Sequence, residues 1–410
     1  MAVIGLGVVG LEQALLFARS GFRVTGIDTD TERVRALKHT YNGVRPTRPT
    51  KEPRLAEVTN DFDAMVRADC IILCVPTSHN DDGSPALEAL QRAGRDVAGR
   101  LRSDHLVVLE STVPPGTTRG VLLPILETSG CRAGVDFFLA FSPERVDPGN
   151  TTHALQSIPK LVGGLTGICT TRAAELYRCV ADSVHTVSSL EVAELAKVFE
   201  NTFRFVNIGL VNELALLCGK LDLDVQEVIT ASSTKPFAFM PHRPGPGVGG
   251  RCIPMAPRYL SWVAAEAGQE LPVTRASIEV NDAMPSRVAA RVQALLAERG
   301  ATDAVVLLLG MAYKPNLDDT RGSVAPRVAA ELMRAGQRVV YHDPHVPSLV
   351  IDGVELHSQP LDGALLKRVA CAVVLCPHDA VDYALVVQRA NFVVDPTARL
   401  AADGERVFAL

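Results

Sequence analysis

Short apolar runs bounded by glycine and polar residues recur along this chain and set its expected architecture. Residues 2–4 and 23–27 read as strands flanking an apolar helix that runs through Phe17 and ends at Gly21. Residues 70–75, 106–109, 137–141 and 160–164 are further apolar runs, the pattern of parallel strands buried on both faces. The pattern then changes. From 190 to 219 the apolar positions fall at helical spacing, a helix of about 45 Å, too long for one layer of a domain. Helices over 259–267 and 278–297 follow, with Pro272 and Pro285 as punctuation. Strands at 304–309, 338–341, 372–375 and 392–394, with a helix over 326–335, then restore the first pattern. The expected fold class is α/β: two Rossmann-like, doubly wound parallel-sheet domains joined by a long central helix and a helical middle domain. The expected boundaries are 1–187, 188–298 and 299–410.

The first turn carries chemistry. Gly5-Leu6-Gly7-Val8-Val9-Gly10 is GxGxxG between a strand and a helix, and Asp28 ends the second strand. Gly5 permits the turn, Gly7 lets a pyrophosphate approach the helix start, and Gly10 lets helix and strand pack closely. Asp28, eighteen residues past Gly10, is placed to accept both ribose hydroxyls of an adenosine, which favours NAD over NADP. Arg33, one turn into the next helix, is either a contact to the adenosine or a solvated surface residue. Thr77, Thr112 and Glu144 stand where apolar strands end, lining the crevice, or else the threonines merely cap helices and Glu144 only pairs with Arg145.

Two further stretches stand out. Pro244–Gly250 places four glycines in six positions and runs straight into Arg251 and Cys252. A thiol there, beside a cation, is a candidate nucleophile. On the long helix Lys197, Asn201 and Arg204 share one face of an otherwise apolar stretch.

Composition narrows the partners. Hydrophobic residues make up 47%, charged residues 21%, and the net charge is −5 with no basic stripe. Nucleic acid and membrane are therefore not expected partners. No run of 18 apolar residues occurs and the start lacks a basic leader. Nine cysteines without a CxxC pair fit a reduced, cytoplasmic setting. His342 and His345 form HxxH without a third ligand motif, so no metal is expected.

GLGVVG, CVPT, ESTVPPGTT, FSPER, AELAKVFENTFRFVNIGLVNE, GPGVGGRCIP and GMAYKPNLDDTRGS occur in this order along nearly the whole chain. In this the chain resembles the UDP-glucose/GDP-mannose dehydrogenase family. The resemblance implies NAD-dependent oxidation of the C6 alcohol of a UDP-linked sugar to a carboxylate, and a homodimer formed through the 190–219 helix. It implies that Cys252 is the nucleophile, Lys197 and Asn201 stabilise and position C6, Glu144 acts through water, and Thr112 orders that water. Gly5, Gly7, Val8, Val9, Gly10, Asp28, Arg33, Thr77, Thr112 and Arg321 match cofactor positions. Arg243, Gly247, Gly249, Gly250, Tyr313 and Lys314, with Glu144, Lys197 and Asn201, match the nucleotide-sugar site.

The chain departs from the family at two positions. Ala256 stands where the family carries an aspartate four residues after the cysteine, and Arg251 precedes the thiol. Three outcomes stay open: a full dehydrogenase with slower thioester hydrolysis, an enzyme that stops at the aldehyde, and a nucleotide-sugar binder without oxidation. CIP after GVGG leans towards UDP-N-acetylhexosamines over UDP-glucose.

Overall fold

The computed structural model of the chain describes residues 1–41, 54–80, 83–146, 154–301, 304–402 and 404–410. They form two compact units, Met1–Glu200 with Arg258–Gln269, and Asn201–Pro257 with Glu270–Leu410.

The first unit is built on eight strands: β1 (Ala2–Ile4), β2 (Thr25–Ile27), β3 (Glu57–Thr59), β4 (Cys70–Leu73), β5 (Leu106–Leu109), β6 (Phe138–Phe141), β7 (Lys160–Gly164) and β8 (Val184–Thr186). Their order is β8-β7-β6-β5-β4-β1-β2-β3. The first six strands are parallel and arranged 3-2-1-4-5-6, the doubly wound order whose crevice opens at the carboxyl end of β1. Alternation along the strands feeds both faces. Ile4, Ile71, Leu73 and Leu109 pack into one core, while Val3, Ile72 and Val108 join Phe17 in the other.

The expectation of an all-parallel sheet fails at one edge. β7 runs antiparallel to β6, pairing Gly164 with Ala140 and Gly163 with Phe141, and β8 then runs parallel to β7. An apolar run carries no record of strand direction, which the connection decides.

The second unit holds β9 (Val305–Leu309), β10 (Arg338–His342), β11 (Cys371–Val374), β12 (Val393–Val394) and β13 (Val407–Phe408), all parallel, in the order β10-β9-β11-β12-β13. This is the 2-1-3-4-5 arrangement, with its switch point between β9 and β11. A core led by Met284, Val288, Val306, Leu308, Val328 and Val373 fills one face.

Three helices carry the middle of the chain. Leu190–Leu221 is a single helix of 32 residues, and Pro272–Glu298 is one of 27. The helix starts at Pro272, ahead of the expected 278, and Pro285 lies inside it. Pro285 has no N–H for the Asn281 carbonyl, and that carbonyl lies beside Gly247, where a Cβ would stand 3.1 Å away. The third helix also differs from expectation. It runs Cys252–Glu266 and so starts at the cysteine itself, not at 259. Pro254 falls in the first turn, where a missing N–H costs nothing.

Candidate active site

The glycine turn has the shape its sequence demands. Gly5 has φ +88°, and a Cβ there would lie 2.6 Å from the Cys74 carbonyl oxygen. A Cβ on Gly10 would collide with the Gly5 carbonyl oxygen, whereas one on Gly7 would meet nothing within 4 Å. The turn is therefore closed behind and open in front, a cradle that any side chain at Gly7 would fill. No side chain caps the start of the Val8–Arg19 helix, which suits an incoming pyrophosphate. Asp28 accepts from the Leu6 N–H at 2.7 Å and the Asp30 N–H at 2.9 Å, which fixes its carboxylate while each oxygen keeps a further lone pair. Arg33 donates to the Leu6 carbonyl at 3.1 Å, so its guanidinium lies across the same turn. These residues fit a dinucleotide.

The strand ends next to this turn converge. Thr77 Oγ1 donates to the Thr112 carbonyl at 2.6 Å, joining the loops after β4 and β5. Lys197 Nζ lies 3.2 Å from the Glu144 carboxylate, and both side chains are only 7% exposed. The ammonium reaches the end of β6 from the long helix, with no solvent to screen the pair. Arg145, next in the chain, pairs with Glu200 one turn further along that helix.

In the second unit, Asn201 Nδ2 donates to the Cys252 carbonyl at 3.3 Å and so anchors the first residue of the cysteine helix. Gly250 N–H donates to the Gly322 carbonyl at 3.0 Å, and a Cβ on Gly249 would stand 3.3 Å from the Tyr313 carbonyl oxygen. The glycine loop thus lies against the loop that follows β9. A cleft of about 230 Å³ opens there, lined by Arg243, Pro244, Gly245, Tyr313, Pro315 and Arg399 among others. Its position at the β9/β11 switch point is where an open α/β sheet takes its ligand. Lys314 sits on the same loop. Arg321 does not lie free: it forks onto Asp319 at 2.8 and 2.6 Å. The fork and the charge hold the Asp319 carboxyl below its usual range.

Several residues of these sites gave no signal in the sequence. Glu194, fully buried one turn before Lys197, accepts from Gly116 N–H, Thr118 N–H and Thr118 Oγ1 at 2.5, 2.8 and 2.5 Å. It ties the loop carrying Thr112 to the helix carrying Lys197. Burial raises its carboxyl to about 7 against the pull of those three donors. Beneath the strand ends, Glu110 accepts from Tyr177 and lies 3.0 Å from Lys160 Nζ. Burial and then the Glu110 charge push the Tyr177 hydroxyl well up. In the second unit, His378 Nδ1 accepts from the Asn316 N–H at 2.9 Å, so its Nε2 proton points to Asp343 at 3.0 Å. Burial alone would raise Asp343, but His378 and backbone donors outweigh it and hold the carboxyl at about 2. Thr397 and Arg399 line the cleft from the loop after β12. Polar residues of this kind look like ordinary loop or helix positions until the fold buries them.

A 3-2-1-4-5-6 sheet with a glycine cradle and a fixed acid at the end of β2, followed in the same chain by a second α/β unit with its own switch-point cleft, defines a dinucleotide-dependent oxidoreductase. Comparison with known proteins carries this further. Residues 1–181 match the NAD binding domain of the UDP-glucose/GDP-mannose dehydrogenase family, 191–283 its central domain and 307–408 its UDP binding domain. The chain is 35% identical over 357 residues to a UDP-N-acetyl-D-mannosamine dehydrogenase of Pyrococcus horikoshii, covering 84% of each. It is 36% identical over 352 residues to a UDP-N-acetyl-D-glucosamine 6-dehydrogenase of Pseudomonas aeruginosa, covering 84% of this chain and 83% of the relative. The solved structure of a UDP-D-ManNAc dehydrogenase from Pyrococcus horikoshii superposes with a TM-score of 0.88 at 29% identity, covering 100% of this chain and 98% of the other. The chain belongs to the UDP-glucose/GDP-mannose dehydrogenase family and is an NAD-dependent oxidoreductase. Among the described residues no helix is long and apolar enough to cross a membrane, and no group of three or more His, Cys, Asp or Glu is arranged to hold a metal ion.

Proposed function

We propose that the enzyme oxidises the C6 alcohol of a UDP-linked N-acetylhexosamine to the carboxylate in two steps, keeping the intermediate on Cys252. The observation that carries this reading is the buried Glu144–Lys197 pair at the end of β6; in the second unit, Asn201 separately holds the Cys252 backbone. Gly5, Gly7, Gly10, the Val8 and Val9 backbone, Asp28, Arg33 and Thr77 would hold NAD, and Arg321 remains a candidate contact to it. When bound, NAD accepts a hydride from C6 in each oxidation.

The protein's own groups do the rest. Glu144, through water, takes the C6 hydroxyl proton while Lys197 steadies the oxygen as negative charge develops on it, an effect strengthened by its burial. Cys252 begins a helix, where the positive end of the peptide dipoles favours a thiolate. That thiolate adds to the aldehyde carbon to give a thiohemiacetal, which the second oxidation turns into a thioester. Water then attacks the thioester, Glu144 takes the water proton, and the carboxylate leaves with the thiol restored. Thr112 orders that water. Arg243, Gly247, Gly249, Gly250, Tyr313 and Lys314 surround the UDP moiety in the second unit's cleft. We read 1–187 as the NAD domain, 188–298 as the helical and dimerisation domain, and 299–410 as the UDP domain.

The long helix supports a homodimer. Phe199, Phe203, Leu210, Leu217 and Leu221 are exposed along it, at spacings of four or seven residues, and Leu210 is 64% exposed. A heptad-like apolar stripe of this kind buries itself against a second copy. We place the enzyme in the reducing cytoplasm, where its nine free thiols stay reduced.

The test is to mix the protein with NAD and UDP-N-acetylmannosamine, UDP-N-acetylglucosamine or UDP-glucose and count NADH per sugar. Two per sugar, fastest with an N-acetylhexosamine, is expected. One per sugar would mean the reaction stops at the aldehyde or the thioester. None, with NAD still bound, would make the chain a non-catalytic binder.

A further inference from the structure

Two buried asparagines hold the Pro244–Gly250 loop by a one-way chain of hydrogen bonds. Gly245 N–H donates to Asn212 Oδ1 at 2.9 Å, Asn212 Nδ2 donates to Asn281 Oδ1 at 3.0 Å, and Asn281 Nδ2 donates to the Phe205 carbonyl at 3.0 Å. Asn212 is fully buried and Asn281 is 3% exposed. Both ends are chemically fixed, because a peptide N–H can only donate and a peptide carbonyl can only accept. Turning either amide over would set donor against donor or oxygen against oxygen, so the chain has a single arrangement.

The surrounding backbone is shaped to admit it. Gly209 lies within the long helix, where a glycine costs about 1 kcal/mol relative to alanine. A Cβ at that position would stand 3.1 Å from Asn281 Nδ2. The glycine therefore lets the Pro272–Glu298 helix bring Asn281 onto the long helix. At the other end of the chain, Gly245 lines the switch-point cleft together with Arg243 and Tyr313. A trans peptide sets its N–H and the preceding C=O in opposite directions. Asn212, by taking the Gly245 N–H, thus turns the Pro244 carbonyl away from the long helix and fixes the face that this peptide presents.

We propose that Asn212 and Asn281 are positioning residues for nucleotide binding, setting the orientation of the Pro244–Gly245 peptide at the cleft. This rests on the reading that the cleft takes the UDP moiety. The consequence is selective. Loss of the chain weakens UDP binding and leaves NAD binding, whose glycine cradle and acid belong to the first unit, unchanged.

The experiment is calorimetric titration of the full-length protein with UDP and, separately, with NAD. Asn212→Leu keeps the volume and removes both hydrogen bonds, and is expected to weaken UDP about tenfold with NAD affinity intact. Asn212→Asp is the sharper variant. The introduced carboxyl, when protonated, donates to Asn281 and accepts from Gly245 as the amide does, and burial favours that neutral form. Near pH 5 its UDP affinity should match the parent protein, and by pH 8 it should fall towards that of Asn212→Leu, a step measured against the parent's own profile. Arg243→Ala serves as the control for the cleft. If Arg243→Ala weakens UDP while both Asn212 variants bind like the parent at every pH, the positioning role is wrong and the cleft assignment stands. If none of the three weakens UDP, the cleft assignment itself is wrong.

Discussion

Lys197 and Glu144 stand 3.2 Å apart, nearly sealed from solvent, one on the long helix and the other at the end of β6. Removing one partner strands a buried charge, which costs about 3–5 kcal/mol, whereas removing both with isosteric neutral groups costs far less. Lys197→Met and Glu144→Gln should therefore each lower the melting temperature more than the double variant does. Activity should not follow stability: all three should lose at least a hundredfold in kcat. Thermal melts and NADH release on the same samples check this, and a double variant less stable than both singles would refute the pairing.

The glycine cradle predicts two unlike outcomes for the same small change. Gly7→Ala adds a methyl to open space, so the protein should melt normally and bind NAD at least tenfold more weakly. Gly10→Ala drives a methyl into the Gly5 carbonyl and should destabilise the first unit, since helix and turn cannot both keep their places. Melting curves alongside NAD titration separate the two.

Ala256 is fully buried in the helix that Cys252 begins, so the carboxylate that relatives of this family place there is not supplied by that helix. On the proposed mechanism hydrolysis would then lean on Glu144, and acyl-enzyme should accumulate. Intact mass measurement during turnover is expected to show the protein carrying one sugar-nucleotide acyl group, absent in Cys252→Ser. Turnover with no such adduct would show that release is not slowed.

Glu194 gives a pH dependence of stability. Its folded carboxyl titrates at about 7, raised from 4.5 by burial. A raised carboxyl contributes stability below about pH 4.5, and that contribution is lost as pH climbs through about 7. The size is on the order of 3 kcal/mol. Glu194→Gln lacks this titration, so from pH 5 to pH 8 the parent protein should lose melting temperature relative to the variant. A constant difference across that range would argue against the assignment.

The stripe on the long helix is tested by charge. Leu210→Glu and Phe199→Asp alter exposed positions, so the fold should survive while the sedimentation coefficient shifts to that of a monomer.

Much of this was readable from residue order because glycine and acid placement at a turn follows from local sterics. Gly5 takes the turn and Gly10 the close packing that the spacing implies, and the apolar runs mark strands to within a residue or two. Strand direction at β7 was not readable, since Leu161 and Val162 look alike whichever way the strand runs. Nor was the helix start at Cys252, because Pro254 reads as a breaker until it is seen to occupy a first turn. Glu194 and Glu110 were invisible, and Asn212 showed only as a polar group in an apolar helix, for another reason. Each draws its meaning from partners at least 33 residues away.

The first unit is not continuous in the chain. It takes residues 1–200, gives way to the second unit, and is completed only by Arg258–Gln269. Tyr259, just inside that returning stretch, donates to the Ser78 carbonyl at 2.7 Å across 181 residues. During synthesis the glycine cradle is therefore made early and its unit finished late, after the cysteine loop has left the ribosome. Contacts of such span form slowly, and a nascent chain of about 200 residues waits for the Tyr259–Ser78 bond for as long as the ribosome takes to make some 60 more, a matter of seconds at ordinary elongation rates. In this chain the NAD unit and the loop carrying the thiol are bound together in time.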